Sequence, residues 1–204
     1  MREFVIDKTP LDTAIKSLQP FISKEETRYY LCGIFFEWKN GDDKINMVAT
    51  DGHKLCVMQV EMIPSTDTDG DIAAIVPTSA LKTIMQILKS VGNDKMPVTM
   101  KFDDKNLKLW IETPDQKAEL KLIDGNFPDY RRVVPTEKAT FTIGLQKAQA
   151  TEAMKAVKAH KGKEAMEWQM TDANSPLKLV GQDKLVIVMP TRSAFSEIDL
   201  GTAA

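Results

Sequence analysis

One pattern occurs three times in this chain: a short apolar strand, a helix with apolar residues at i, i+3, i+4 and i+7, and then alternating strands. Phe4-Val5-Ile6 leads into Leu11, Ala14, Ile15 and Leu18, and Ala74-Ile75-Val76 leads into Leu81, Ile84, Met85 and Leu88. Phe141-Thr142-Ile143 leads into Ala150, Ala153, Met154 and Val157, a weaker, alanine-rich stripe. A period of roughly 65 to 70 residues marks supersecondary units that stack side by side.

Within the first copy, Leu31 to Trp38 reads as a strand, Asn40-Gly41 as a hairpin turn, and Ile45, Met47 and Ala49 as an alternating strand. Asp51-Gly52 turns the chain into a strand from Leu55 to Met62, and the polar stretch from Pro64 to Gly70 is a boundary. In the second copy the strands centre on Val98 to Phe102, Leu107 to Ile111 and Ala118 to Leu122; in the third they centre on Met166 to Met170, Leu177 to Val180 and Leu185 to Met189. Each copy is therefore βαβββ, which makes the chain α+β with antiparallel sheets and helices gathered on one face. The boundaries are a two-copy domain over 1–124, a connector over 125–139 carrying Pro128 and Pro135, a single copy over 140–192, and a tail over 193–204.

The chain has 204 residues, 43% hydrophobic and 27% charged, enough apolar surface for a folded core. No apolar run reaches the roughly 18 residues a membrane helix needs, and Met1-Arg2-Glu3 does not begin a signal peptide, so a cytoplasmic, membrane-free location is expected. Cys32 and Cys56 fall in predicted strands without metal-ligand spacing and read as free buried thiols. Trp38, Trp110 and Trp168 fall on strands and read as core or sheet-surface fillers.

Charge is distributed unevenly. The three helical stretches hold eight lysines to two acids, or +6, which leaves −8 for the rest of a chain whose net charge is −2. A lysine-rich helix layer attracts a phosphate backbone without reading base edges, although lysine is also a common surface residue of helices. Lys16, Lys82, Lys89, Lys147, Lys155, Lys158 and Lys161 are the candidate DNA contacts. His160 sits in the same basic stretch and reads as solvated.

No HExxH, GxSxG or phosphate-loop pattern occurs, and the carboxylates lack a paired spacing for acid–base work. Asp51-Gly52-His53 reads first as a hairpin turn. The expectation is a non-enzyme with no catalytic residues, metal or cofactor.

Three motifs then fall together: Arg28-Tyr29-Tyr30-Leu31 with Ala49-Thr50-Asp51-Gly52-His53-Lys54-Leu55; Asp124-Gly125-Asn126-Phe127-Pro128-Asp129-Tyr130-Arg131-Arg132-Val133; and Val188-Met189-Pro190-Thr191-Arg192. In this order and on these elements they resemble the bacterial DNA polymerase III beta sliding clamp family. The resemblance covers nearly the whole chain up to Arg192, as the family's middle domain followed by the last unit of its third domain; the first domain has no counterpart.

The resemblance implies the DNA clamp fold, with antiparallel sheets outside and helices lining a ring interior. It implies a sliding clamp that encircles double-stranded DNA irrespective of sequence and tethers polymerase and clamp-loader peptides, conferring processivity. By motif match, the peptide pocket's wall would be Leu31, Thr50, Gly52, His53, Lys54 and Leu55, its floor Pro128, Arg132 and Val133, and its far side Ile187, Val188, Met189, Pro190, Thr191 and Arg192. Arg28, Tyr29 and Tyr30 would contact DNA beside it. Lys54 stands where the family usually has arginine, Thr191 where it has methionine and Cys32 where it has asparagine. The family's ring contains twelve βαβββ units, so three per chain imply a homotetrameric, head-to-tail ring. The alternative is a non-encircling decoy or regulator that competes for clamp-binding peptides or caps a full-length clamp. Glu197-Ile198-Asp199-Leu200 faintly mimics such a peptide.

Overall fold

A computed structural model of the chain describes residues 1–64, 70–92, 94–103, 105–135, 137, 139–140, 142–156, 167–180 and 185–191. It comprises two bodies, Met1–Tyr130 and Arg131–Ala204. The first body holds β1 (Arg2–Asp7), α1 (Lys8–Leu18), β2 (Gly33–Trp38), β3 (Lys44–Thr50), β4 (Leu55–Glu61), β5 (Ile63–Pro64), β6 (Ile72–Pro77), α2 (Thr78–Ser90), β7 (Pro97–Asp103), β8 (Lys108–Glu112) and β9 (Lys117–Lys121).

Two antiparallel sheets result, in the orders β4-β3-β2-β6 and β5-β1-β7-β8-β9. The two copies exchange their opening strands. β1 of the first copy pairs with β7 of the second, placing Phe4 opposite Met100 and Ile6 opposite Val98. β6 of the second copy pairs with β2 of the first, placing Ala74 opposite Phe36 and Val76 opposite Ile34. Gly33 permits this second pairing: a Cβ there would stand 2.3 Å from the Val76 carbonyl oxygen.

The exchange merges the two copies into one core. Phe102 stacks on Phe4 at 5.6 Å between ring centres and meets Phe36 at 5.8 Å, so three strands from two copies share one aromatic cluster. Leu11, Ala14, Ile15 and Leu18 of α1 and Ala80, Leu81, Ile84, Ile87 and Leu88 of α2 close over it, all buried. The alternation expected for the strands appears as buried Ile34, Phe36 and Trp38 in β2 and buried Val98, Met100 and Phe102 in β7.

The expected strand from Leu31 begins only at Gly33. Glu26–Leu31 instead forms a short 3-10 turn whose end is marked by the Cys32 N–H donating to the Tyr29 carbonyl at 3.0 Å. The Thr78 hydroxyl and N–H both donate to the Cys32 carbonyl, at 2.9 and 3.2 Å, holding the strand entry against the start of α2. Cys32 thus lies outside a strand, whereas Cys56 lies in β4; both are free and half-buried rather than fully buried. Desolvation pushes both thiols above their ordinary pKa, with Glu26 and Glu25 adding to the effect at Cys32.

The second body holds α3 (Lys147–Ala156), β10 (Glu167–Gln169), β11 (Leu177–Val180) and β12 (Leu185–Val188) in a sheet of order β10-β11-β12. Its core is small: Ala153, Leu177, Leu179 and Val188, with Ile143, Leu145, Met170 and Val186 packed around them. Here the sequence expectation fails in one respect. Thr142 and Ile143 belong to no strand, and among the described residues the segment's pairing is a single bridge between Gly144 and Thr191, with the Thr191 N–H donating to the Gly144 carbonyl at 2.8 Å. Of the expected α3 stripe, Ala153 is buried and Met154 is exposed. Phe141, Val157, His160, Met166 and residues 197–200 lie outside the described residues.

Candidate functional site

The β3–β4 hairpin of the first body carries five of the expected pocket residues, and its shape follows from Asp51. The Asp51 Oδ1 accepts the His53 N–H at 2.9 Å and the Lys54 N–H at 3.0 Å, closing a turn that Gly52 completes at φ +90°. Thr50 adds a second clasp, donating its hydroxyl to the Lys54 carbonyl at 2.8 Å and accepting the Gly52 N–H at 3.1 Å. These bonds, led by that from the His53 N–H, hold the Asp51 carboxyl below the ordinary aspartate pKa. The carboxylate therefore organises main chain, which is the turn role rather than the orienting of a catalytic imidazole.

Lys54 projects from this turn with its Nζ 5.5 Å from the centre of the Phe21 ring and 3.6 Å from Asp51 Oδ2. Beside it a shallow concavity of about 570 Å³ is lined by Gln19, Pro20, Ile22, Lys24, Asp51 and Lys54. Apolar Pro20 and Ile22 with two lysines suit a ligand that pairs an aliphatic or aromatic anchor with an acidic group. Leu31 is buried, while Thr50 and Leu55 are half-buried and Gly52, His53 and Lys54 are exposed.

Arg28, Tyr29 and Tyr30 come from the 3-10 turn at Glu26–Leu31. Arg28 pairs with Glu25, and its guanidinium lies against Gly52. That pairing, chiefly the hydrogen bond from Arg28, holds the Glu25 carboxyl below its ordinary pKa. Tyr29 and Tyr30 meet edge to face at 5.7 Å, and Tyr29 is 53% exposed, leaving an aromatic face for an unpaired base.

The connector is tied to this face by contacts that sequence reasoning did not anticipate. Gly125 sits against both tyrosines: a Cβ there would stand 3.1 Å from Tyr30 Cβ and 3.2 Å from the Tyr29 ring. Phe127 stacks on Phe35 at 4.7 Å, and the buried Tyr130 donates its hydroxyl to Glu37 Oε2 at 2.7 Å. The Gly-Asn-Phe and Tyr-Arg spacings were visible as a motif, but nothing in it named Phe35 or Glu37 as partners. Pro128 is exposed in this stretch; Arg132 and Val133 follow it, both exposed, in the short turn Tyr130–Val133.

In the second body, Ile187, Val188 and Met189 line a concavity of about 390 Å³ with Gln149, Glu152, Ala153, Ala156 and Val186. Ile187 and Met189 are exposed and Val188 is buried, while Pro190 and Thr191 follow, half-buried. Arg192 lies outside the described residues.

Lys16, Lys82 and Lys89 are exposed on α1 and α2, and Lys147 and Lys155 on α3. Lys16 pairs with Asp12 one turn earlier. Lys158 and Lys161 lie outside the described residues. Among the described residues no group of three or more His, Cys, Asp and Glu side chains converges to hold a metal ion, and no helix is long and apolar enough to cross a membrane.

Residues 5–129 match the family described as DNA polymerase III beta subunit, central domain. The chain is 30% identical over 162 residues to the beta sliding clamp of Borreliella burgdorferi, covering 78% of this chain and 38% of that protein. It is 33% identical over 133 residues to the beta sliding clamp of Proteus mirabilis, covering 65% of this chain and 34% of that one. Among solved structures, the C. crescentus beta sliding clamp superposes with a TM-score of 0.75 at 26% identity, covering 94% of this chain and 51% of its own. The Bacillus subtilis sliding clamp superposes with a TM-score of 0.76 at 16% identity, over 92% of this chain and 49% of its own, a likeness of fold. The chain thus spans little more than a third of the length of these curated relatives. With the strand-exchanged two-copy domain and the family match over most of it, the chain belongs to the DNA polymerase III beta subunit family.

Proposed function

We propose that this chain is a subunit of a DNA sliding clamp that encircles duplex DNA and tethers polymerases and other replication proteins through short docking peptides. The observation that carries the reading is the two-sided character of its helices. α1 and α2 sink their apolar stripes into one shared core and leave Lys16, Lys82 and Lys89 in solvent, and α3 exposes Lys147 and Lys155. Such a layer holds a phosphate backbone through charge alone, which permits sliding. Four chains of three copies each supply the twelve units of a ring. Encirclement then replaces affinity as the source of retention, and a tethered polymerase gains effective concentration at its template.

The peptide-docking role is assigned to the hairpin face of the first body, where Lys24 and Lys54 flank Pro20 and Ile22. Ile187 and Met189 in the second body supply a further exposed apolar surface. Non-catalytic tethering and a cytoplasmic place of action belong to the same reading.

The test is topological. The chain is assembled with nicked circular duplex DNA, separated by gel filtration, and the DNA is then linearised. Encirclement predicts co-elution with circles that is lost on linearisation. Co-elution that survives linearisation, or none at all beside intact binding of acidic peptides, would instead favour a decoy or regulator.

A further inference from the structure

We infer that the second body pairs two-fold with the second body of another copy of this chain, each giving residues 142–145 to the free edge of the other's β10. The template lies within the molecule. In the first body each copy's three-strand set is flanked by the opening strand of the other: β6 lies beside β2, and β1 beside β7. In the second body β10 is the element equivalent to β2 and β7, yet it forms the edge of the order β10-β11-β12. Of the opening segment equivalent to β1 and β6, the described residues 142–145 belong to no sheet strand and make, among the described residues, one bridge at Gly144. Among the described residues no fourth copy stands ready to exchange with it.

Burial points the same way. Trp168 pairs with Leu179 across β10 and β11, so it shares the face of a residue that is 1% exposed, yet it is itself 47% exposed. Its counterparts at the centres of β2 and β7, Phe36 and Met100, lie opposite Ala74 and Phe4 of the exchanged strands and are fully buried. α3 buries Ala153 where α1 buries four residues. A half-domain with an open sheet edge and an uncovered tryptophan is completed by its own duplicate, since that duplicate carries both the missing strand and the missing helix.

This assignment changes the geometry of the ring without depending on it. A head-to-tail arrangement brings to β10 a first body whose opening strands are already exchanged, and so leaves the edge unpaired. Two-fold pairing satisfies both edges at once. The inference rests on strand exchange and not on DNA encirclement, so the two readings fail separately.

Light scattering over a range of concentrations, joined to hydrogen exchange, tests it on the full chain. The expected mass is an even multiple of the 22.8 kDa chain, and the amides of residues 167–169 gain protection as concentration rises. Successive residues of an extended segment turn their N–H and C=O to opposite edges, and Gly144 faces Thr191, so the Ile143 N–H faces the donated edge; Ile143→Pro removes it and should halve the mass and speed exchange in β10 at least tenfold. Ile143→Val, which keeps the N–H, should preserve both. A monomer at every concentration overturns the inference. So does an oligomer whose mass and β10 exchange are unchanged in Ile143→Pro.

Discussion

The Arg28 guanidinium lies against Gly52 so closely that a Cβ built on the glycine would stand 2.5 Å from Arg28 Nη1. Gly52 also has φ +90°, where side chains are strained whatever the space. Gly52→Ala therefore meets two separable penalties. The backbone strain costs about 1 to 2 kcal/mol, while the clash falls on the flexible end of a long side chain and is relieved by its movement. Denaturant unfolding of Gly52→Ala and of Gly52→Ala with Arg28→Ala should show nearly the same loss. A double variant that regains wild-type stability would assign the cost to the clash instead.

Gly33 tests the strand exchange itself. An added methyl would meet the Val76 carbonyl, a main-chain atom in the paired strand that cannot swing aside. Gly33→Ala should destabilise the chain by about 3 kcal/mol, with β2 and β6 amides losing protection together. Unchanged stability would mean that the two strands do not run at the described separation.

The elements were legible in the sequence because each carries its own period: Leu11, Ala14, Ile15 and Leu18 announce a buried helix face, and Val98, Met100 and Phe102 a strand face. Which strands become neighbours was not. Alternation states that Phe4 and Phe102 point inward; it does not state that β1 leaves its own copy to lie beside β7. The Leu31 boundary was missed because Tyr30, Leu31 and Ile34 suit a strand, while the strand entry there is held at the Cys32 carbonyl by the distant Thr78. The third copy's opening segment was expected to be a strand, but a strand needs a partner, and among the described residues the segment meets only Thr191. Site residues on the hairpin were recognisable through Asp51-Gly52. The tie from Tyr130 to Glu37 spans 93 positions and leaves no local trace.

Tyr130→Phe removes a hydroxyl that donates at 2.7 Å to a carboxylate from a buried ring. Loss of one such charge-assisted bond should cost about 1.5 to 3 kcal/mol. Glu37→Gln keeps an acceptor and should cost less, and urea midpoints of the two variants make the comparison. Equal losses would indicate that the carboxylate's charge, rather than the hydroxyl contact, carries the stabilisation.

Asp51 sets a pH dependence for the hairpin. Its carboxyl pKa is lowered in the folded chain, first by the His53 N–H, so folding favours the ionised form. That contribution is fully present above the ordinary aspartate value of 3.8 and disappears as pH falls through the lower native value. Asp51→Asn should flatten the acid limb of stability against pH while leaving stability near neutrality less affected than Asp51→Ala, which also removes the acceptor. Carboxyl NMR titration of Asp51 checks the direction: an apparent pKa at or above 3.8 contradicts it.

Lys82 and Lys89 are exposed on α2, seven residues and about two helical turns apart on one side of a helix whose other side is buried. If this side faces a phosphate backbone, each lysine displaces about one counterion, and removing both should lower the magnitude of the slope of log affinity against log salt by about 1 per lysine. The loss should be equal on unrelated DNA sequences, because backbone contacts read no bases. Stability should be unchanged, since neither side chain contributes to the core. Fluorescence anisotropy of labelled duplex titrated with Lys82→Ala, Lys89→Ala and the double variant at several salt concentrations measures it. A slope identical to that of the wild type places the DNA on some other surface, and a sequence-dependent loss means that the helix reads base edges.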